Sequence, residues 1–184
     1  MAIGKKRLFL MYAGVRINMI NLRCGISIFP EQDKAFDQIL TDLLEKAPAR
    51  FILLTDVSGQ IISARGERGK ADIVALGSLV AGDLAASQEI ARVSGDYQKN
   101  QMIMREGSKF HTLIFEAGPY LVLLMQISSE VPIGWVRFLG KLSAEKISRV
   151  IESDPGNVDD VMHEFQSGDM ELMMNDLLDD VWKE

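Results

Sequence analysis

The sequence contains few of the residue types from which most catalytic and metal sites are built. It has one cysteine, Cys24, and two histidines, His111 and His163, in 184 residues. One cysteine cannot form a disulfide within the chain, and no CxxC pair or Cys/His cluster with zinc spacing occurs. The two histidines fall in unrelated predicted elements, and the sequence pairs neither with a nucleophilic serine or cysteine. We therefore expect no metal site.

Motifs for nucleotide binding and for hydrolysis are also missing. No GxxxxGK[ST] phosphate loop, GxGxxG turn, GxSxG elbow or HExxH helix occurs. The basic, glycine-punctuated stretch 66–70 lacks the strand-loop-helix pattern of a phosphate site, so we interpret it as a solvated loop. The sequence thus predicts a protein that is not an enzyme and binds no cofactor.

Long uncharged runs are absent from the basic and apolar start of the chain. The longest one there, residues 8–15, ends at Arg16, and Arg23 follows soon after. A membrane span needs about 20 apolar residues, and a signal peptide needs an apolar core followed by a cleavage site. We therefore expect a cytoplasmic protein with no membrane span, and we assign no structure to an N-terminal segment of residues 1–30.

Charge is distributed unevenly along the chain. The net charge is −6, yet residues 153–184 alone carry ten acidic residues and one basic residue, and the rest of the chain is mildly basic. No stripe of lysine and arginine with interleaved aromatic residues is present, which argues against nucleic acid as a ligand. The acidic tail is suited either to a basic protein surface or to solvent.

Proline and glycine divide the middle of the chain into recognisable elements. Helical spacing of apolar residues predicts a helix over 31–46, and two β-rich runs around 57–59 predict a hairpin. Three more strands follow, of which 120–127 is apolar on both faces and should be central. A last helix follows Pro132. The predicted fold class is α+β, a five-stranded antiparallel sheet with one long helix on one face and shorter helices on the other.

The long helix, residues 71–92, has two glycines in its interior. Each costs roughly 0.5–1 kcal/mol relative to alanine, so we expect a close packing contact that offsets the cost. One stripe of the helix is apolar and is assigned to the sheet. The adjoining face is made of small residues, which allow a second helix to approach closely. We expect this face to form a homodimer interface, or alternatively to lie under a loop of the same domain; its residues are Gly77, Ser78, Ala81, Gly82, Ala85 and Ala86.

The acidic tail, residues 153–184, is amphipathic, with apolar residues at helical spacing and carboxylates on the outer face. Methionine side chains adapt their shape, so this stripe suits a groove on another molecule. The alternative is that the tail folds back on its own domain. The residues expected to bind a partner are Phe165, Met170, Met173, Met174, Leu177, Leu178, Val181 and Trp182.

Four stretches together resemble the roadblock, or dynein light-chain, domain family: FILLTDVSGQIIS, ADIVALGSLVAGDLAAS, REGSKFHTLIFEAGPYLVLLMQIS and GWVRFLGKL. The roadblock-like domain covers residues 31–152. The resemblance implies a dimer formed through the long helix, often with the two sheets joined edge to edge. Members of the family typically scaffold or regulate small Ras-like GTPases, and bacterial polarity regulators among them stimulate GTP hydrolysis.

The resemblance therefore implies a non-enzymatic homodimer that regulates a small Ras-like GTPase, for example by activating hydrolysis. One alternative is a dimeric scaffold or adaptor that leaves hydrolysis unchanged. Another is a ligand sensor of the PAS or GAF kind, although the mostly apolar strands offer few polar groups for a pocket under the sheet. An arginine supplied in trans can accelerate phosphoryl transfer, but the sequence singles out none of Arg65, Arg68, Arg92, Arg105 and Arg137.

Overall fold

The computed structural model describes residues 7–12, 15–69, 71–95 and 102–167, with side chains for 19–69, 71–95 and 102–165. Five strands form an antiparallel sheet: β4 (Ala49–Asp56), β5 (Ile61–Gly66), β6 (Met102–Arg105), β7 (Phe110–Ala117) and β8 (Leu121–Ser128). Their order across the sheet is β5-β4-β8-β7-β6. β8 is central and its residues 121–125 are all buried, as its uninterrupted apolar sequence predicts.

Helices cover both faces of this sheet. α2 (Ile73–Ser94) packs on one face, where Val80 and Leu84 join a core with Leu53 and Leu124. The other face carries α1 (Pro30–Lys46) and α3 (Ile133–Glu152), which share the larger core with the opposite sides of the same strands. The α+β architecture predicted from the sequence, with a long helix on one face and shorter helices on the other, is confirmed.

Local signals in the sequence fix the ends of the helices. Asp72 caps α2, because its Oδ1 accepts hydrogen bonds from the backbone N–H groups of Val74 and Ala75, both at 3.1 Å. Gly95 ends the same helix in the left-handed conformation, with φ of +78°. Buried Gln32 accepts a hydrogen bond from the N–H of Phe29 at 3.1 Å and donates one to the carbonyl of Val150, which joins the start of α1 to the end of α3.

The N-terminal segment contains a second sheet that the sequence did not indicate. Its strands are β1 (Arg7–Tyr12), β2 (Val15–Asn21) and β3 (Ser27–Ile28), in the order β1-β2-β3. Ile20 and Ile28 are paired in this sheet and are both buried in the larger core. Apolar residues in residues 8–12 are continuous rather than alternating, so the strand periodicity is hidden.

A fourth helix, α4 (Val158–Ser167), follows a 3₁₀ turn and packs on α3 and α1. Its Phe165 is only 6% exposed and belongs to the larger core, where the cationic groups of Lys146 and Arg149 lie 5.2 and 4.8 Å from the ring centroid. The expectation that Phe165 binds a partner is therefore wrong, because its ring is covered by its own domain. The other expected partner-binding residues of the tail lie outside the described residues: Met170, Met173, Met174, Leu177, Leu178, Val181 and Trp182.

Candidate interaction surface of the long helix

The inner side of α2 is held against the β4–β5 turn by a very close backbone contact. A Cβ atom placed on Gly77 would lie 2.7 Å from the carbonyl oxygen of Gly59 and 3.3 Å from Cγ2 of Thr55. Gly77 and Ala81 are both buried within their own chain. These two residues were expected at a dimer interface, and the structure corrects that expectation, since a turn of the same domain already occupies the space beside Gly77.

The turn itself is organised by the buried carboxylate of Asp56. Oδ1 of Asp56 accepts hydrogen bonds from the backbone N–H groups of Ser58 and Gln60, at 2.9 and 2.8 Å, and from the hydroxyl of Ser58 at 2.7 Å. Oδ2 accepts a hydrogen bond from the N–H of Cys24 at 3.3 Å. The carboxylate therefore fixes the turn under α2 and joins it to the N-terminal segment.

The outer face of α2 is apolar and open. Ser78, Gly82, Ala85 and Ala86 are exposed, as expected for an interface, and a Cβ on Gly82 would meet no atom within 4 Å. Large apolar side chains extend this face along the helix: Val74 is 62% exposed, Leu79 69%, Ile90 69% and Val93 81%. These eight residues are the outer face of α2. The exposed ion pair between Glu89 and Arg92 lies on the same side of the helix and interrupts the apolar surface near its C-terminal end. Exposed apolar surface of this kind is typical of an interaction site.

The four large residues were not among those expected at the interface, because the expectation rested on the stripe of small residues. A helical wheel would have found them, since Val93 lies nearly opposite the stripe assigned to the sheet and Val74, Leu79 and Ile90 lie outside that stripe on its two flanks. That assignment holds in the structure, where Val80 and Leu84 are buried.

Polar contacts fix α2 on the sheet beside this face. Arg105 of β6 binds Asp83 of α2 with two parallel hydrogen bonds, Nε to Oδ2 at 2.8 Å and Nη2 to Oδ1 at 2.6 Å. This pairing raises the pKa of Arg105 above its usual value. Gln88 donates a hydrogen bond to Oε1 of buried Glu116 on β7 at 2.9 Å. The helix is thus tied to both β6 and β7, and its outer face is left for another partner.

The candidate arginines do not converge on one place. Arg65 binds Asp37 at 2.7 Å, Arg92 binds Glu89 at 2.8 Å, and Arg105 binds Asp83. Arg68 donates a hydrogen bond to the carbonyl of Ala64, and Arg137 is exposed on α3; these facts give no single arginine a special position.

Within the described part of the chain, no group of three or more His, Cys, Asp or Glu is placed to hold a metal ion. Burial is the main cause that raises the pKa of the Cys24 thiol, and the negative charge of Asp56 adds to it, so the thiol is not activated as a nucleophile. Grooves of about 240 and 270 Å³ lie along α1 rather than under the sheet.

Among the described helices, α2 alone has the length and hydropathy that would allow a membrane crossing, with a mean hydropathy of 1.3. In the structure it lies on the sheet, where Val80 and Leu84 pack against the strands. Its apolar composition is accounted for by an inner side in the core and an apolar outer face.

No protein-family model matches the chain, and no curated protein matches it. Solved structures do match. MglB of Myxococcus xanthus is 25% identical with a TM-score of 0.63, over 69% of this chain and 95% of that one. An MglB with a tetrameric arrangement is 25% identical with a TM-score of 0.62, over 68% and 93%. A Roadblock/LC7 domain of Streptomyces avermitilis is 14% identical with a TM-score of 0.58, over 64% and 98%.

These structures are covered almost completely, whereas a substantial part of this chain lies outside each match. The shared part has the arrangement already described, a five-stranded antiparallel sheet with helices on both faces. The chain therefore has the roadblock-domain fold and is related in structure to MglB.

Proposed function

We propose that this chain is a non-enzymatic, cytoplasmic homodimer that regulates a small Ras-like GTPase. The observation that carries the proposal is the open apolar outer face of α2, on a fold that resembles MglB and other roadblock domains. The similarity to these proteins supports a regulatory role, and the sequence contains no phosphate loop with which the chain itself would bind GTP.

The homodimer is proposed to pair the outer faces of two α2 helices around a twofold axis, because one self-complementary patch is enough for such a pair. Small residues at 78, 82, 85 and 86 allow close approach, and the large side chains at the two ends of the helix add apolar area. Burying Val74, Leu79, Ile90 and Val93 would contribute roughly 1.5–3 kcal/mol each before the entropy cost of association. The tetrameric arrangement of one MglB supports assembly of this fold.

The dimer is tested by light scattering on the full chain and on Leu79→Glu, which places a charge within the outer face. We expect a dimer at micromolar concentration for the wild type and a monomer for the variant. Trp135→Glu is the matched control, because Trp135 is also a large exposed apolar residue but lies on α3. A monomeric wild type, or dissociation by both variants, would contradict the proposed interface.

The regulatory role is tested by measuring GTP hydrolysis of Ras-like proteins from the same organism, with and without the chain. A regulator changes the hydrolysis rate, whereas the alternative, a scaffold or adaptor, binds the GTPase and leaves the rate unchanged. Calorimetry of the chain with GTP alone should show no binding. Tight binding of the nucleotide by the isolated chain would contradict the proposal.

The tail beyond α4 is proposed as an additional contact with the GTPase. Residues 168–184 combine apolar residues at helical spacing with six carboxylates and one lysine. A basic surface on the partner would attract this segment, and its methionines would adapt to an apolar groove. Tethering to the domain would raise the affinity through effective concentration.

A further inference from the structure

A groove of about 240 Å³ lies where three helices of the domain meet. α1 and α3 form two of its walls, and α4 forms the third. All three helices contribute to its apolar lining, which consists of Ile39, Leu43, Leu139, Leu142, Met162 and Phe165. We call this space the three-helix groove. Its volume is below the roughly 300–1,000 Å³ that is typical of sites for drug-sized ligands, so its ligand must be small.

Four polar side chains also line the three-helix groove. Asp42 and Lys46 belong to α1, and Ser143 and Lys146 belong to α3. The two lysines are close enough to repel each other, because the charge of Lys46 contributes to the lowered pKa of Lys146. With two ammonium groups and one carboxylate, the groove is positive by one charge.

The polar groups on α3 lack the partners that their burial calls for. Within the described part of the chain, Lys146 forms no ion pair and the hydroxyl of Ser143 makes no hydrogen bond, although Ser143 is only 8% exposed. Nζ of Lys146 instead lies 5.2 Å from the ring centroid of Phe165. Lys146 is half-buried, and burial is the main cause of its lowered pKa. An anion in the groove would compensate both the ammonium group and the hydroxyl for their lost hydration.

The combination of walls and charges limits the chemistry of the ligand. An inorganic dianion would leave the apolar walls without a partner, and the carboxylate of Asp42 would repel its second charge. A neutral hydrocarbon would cover the walls but would leave Lys146 and Ser143 as they are. An alkyl chain that ends in one carboxylate meets both requirements, because its chain buries apolar surface and its single charge matches the net charge of the groove.

The acidic tail of the same chain is less suited to this groove, although α4 ends beside it at Ser167. Helical spacing in the tail separates its apolar residues from its carboxylates, which fall on opposite faces. A tail that entered the groove by its apolar face would therefore turn its carboxylates away from Lys146. The tail's apolar stripe also contains far more side chains than a space of about 240 Å³ can hold.

We propose that the three-helix groove binds a small carboxylate with an alkyl chain, of the kind found in medium-chain fatty acids. The carboxylate accepts hydrogen bonds from Nζ of Lys146 and from the hydroxyl of Ser143, and Lys46 adds a second positive charge. The alkyl chain packs on Leu142 and Phe165. Because α4 forms one wall, the ligand holds this helix on α1 and α3. The groove and the outer face of α2 lie on opposite faces of the sheet, so the proposal is independent of the dimer and of a GTPase.

The test is calorimetry of the full chain with octanoate, with acetate, 1-octanol and octylammonium as reference compounds. Acetate lacks the chain, 1-octanol lacks the charge, and octylammonium carries the opposite charge. We expect octanoate to bind at least about tenfold more tightly than any of the three, because only octanoate makes both kinds of contact. Octanoate should also raise the melting temperature, since a ligand of the folded state stabilises it.

Three variants locate the site. Lys146→Gln should weaken octanoate binding about tenfold, and Ser143→Ala, which leaves the charge unchanged, should weaken it about threefold. Lys141→Gln is the matched control, because Lys141 is also a half-buried lysine of α3 but does not line the groove. Its affinity for octanoate should equal that of the wild type.

Three results would overturn the proposal. They are absence of octanoate binding to the full chain, equal affinities for octanoate and octylammonium, and equal losses of affinity in Lys146→Gln and Lys141→Gln. GTP hydrolysis and light scattering report separately on the proposed function.

Discussion

Gly59 and Gly77 meet backbone to backbone where the β4–β5 turn contacts α2. A Cβ on Gly77 would lie 2.7 Å from the oxygen of Gly59, and a Cβ on Gly59 would lie 2.6 Å from Cα of Ser78. Gly59 also has φ of +83°, a conformation that favours glycine. The glycine within α2 at position 77 is therefore explained by packing inside a single chain, which offsets its low helix propensity.

We expect Gly77→Ala to destabilise the protein by about 1–3 kcal/mol, because the added methyl overpacks a contact with rigid backbone. Alanine has the higher helix propensity, which opposes the steric overlap of its methyl group with the turn. The sign of the change in stability therefore shows which of these two effects is larger. Gly134→Ala in α3 is the matched control, since a Cβ there meets no atom within 4 Å. Urea unfolding measures both variants. A Gly77→Ala variant as stable as wild type would contradict the close approach.

Thr55 has a buried hydroxyl that makes no hydrogen bond within the described part of the chain. The residue is 1% exposed and its Cγ2 lies beside Gly77. Thr55→Val keeps the shape and removes the unsatisfied oxygen, so we expect the free energy of unfolding to rise by about 1 kcal/mol. Thr55→Ser keeps the hydroxyl and loses the packed methyl, so it should lower stability. Denaturant unfolding compares the two, and the opposite order would contradict this account.

The sheet and its helices were predictable from the sequence because their signals are local. Apolar spacing marks α1, Asp72 marks the start of α2, and Gly59 marks the turn between β4 and β5. The central position of β8 followed from its apolar residues on both faces. Each signal depends on neighbours in sequence, and the tertiary structure reinforces it.

Contacts between distant residues were not predictable in the same way. The small size of Gly77 indicated a close approach, but only the fold shows that the approaching backbone is Gly59 of the same chain. The apolar stripe that contains Phe165 indicated an amphipathic helix, and the sequence left open whether its own domain or a partner covers it. In the structure, Phe165 packs against α1 and α3 of its own domain.

Asp56 should be needed both for the β4–β5 turn and for the attachment of the N-terminal segment. Asp56→Ala leaves several partly buried donors without their acceptor, so we expect the free energy of unfolding to fall by about 1–3 kcal/mol. Asp56→Asn retains one oxygen for Ser58 and Gln60, but its amide nitrogen cannot accept the hydrogen bond from Cys24. We expect the asparagine variant to be the more stable of the two. Limited proteolysis should cut it faster than wild type near Cys24, and equal cutting would contradict the link.

Lys146 should make the free energy of unfolding depend on pH. Burial is the main cause that lowers the pKa of Lys146 below 10.5, and the charge of Lys46 acts in the same direction, against that of Asp42. The folded state therefore binds fewer protons than the unfolded state just below pH 10.5, so this lysine makes stability rise with pH in that window. Relative to Lys146→Met, wild type should gain stability in urea unfolding as the pH rises toward 10.5. A stability difference between the two proteins that does not change with pH would contradict the lowered pKa of Lys146.

Removing α4 together with the rest of the tail should destabilise the protein far more than removing only the residues beyond α4. A chain that ends at Ser167 keeps α4, whereas a chain that ends at Asn157 loses Val158 and Phe165 from the core. Truncating a buried phenylalanine to alanine alone costs about 3–5 kcal/mol, so the shorter chain should show a large fall in melting temperature. Phe165→Ala in the full chain should reproduce most of that fall.

Removing only residues 168–184 should leave the melting temperature nearly unchanged, because α4 and its contacts with α1 and α3 remain. If this segment binds the GTPase as proposed, the same deletion should weaken binding several-fold, and more at low salt, since its carboxylates act over a longer range when screening is weak. Calorimetry with the GTPase at two salt concentrations measures this, and Phe165→Ala serves as the control for lost stability. A deletion that destabilises the domain while leaving the affinity unchanged would show that residues 168–184 complete the core on which Phe165 packs.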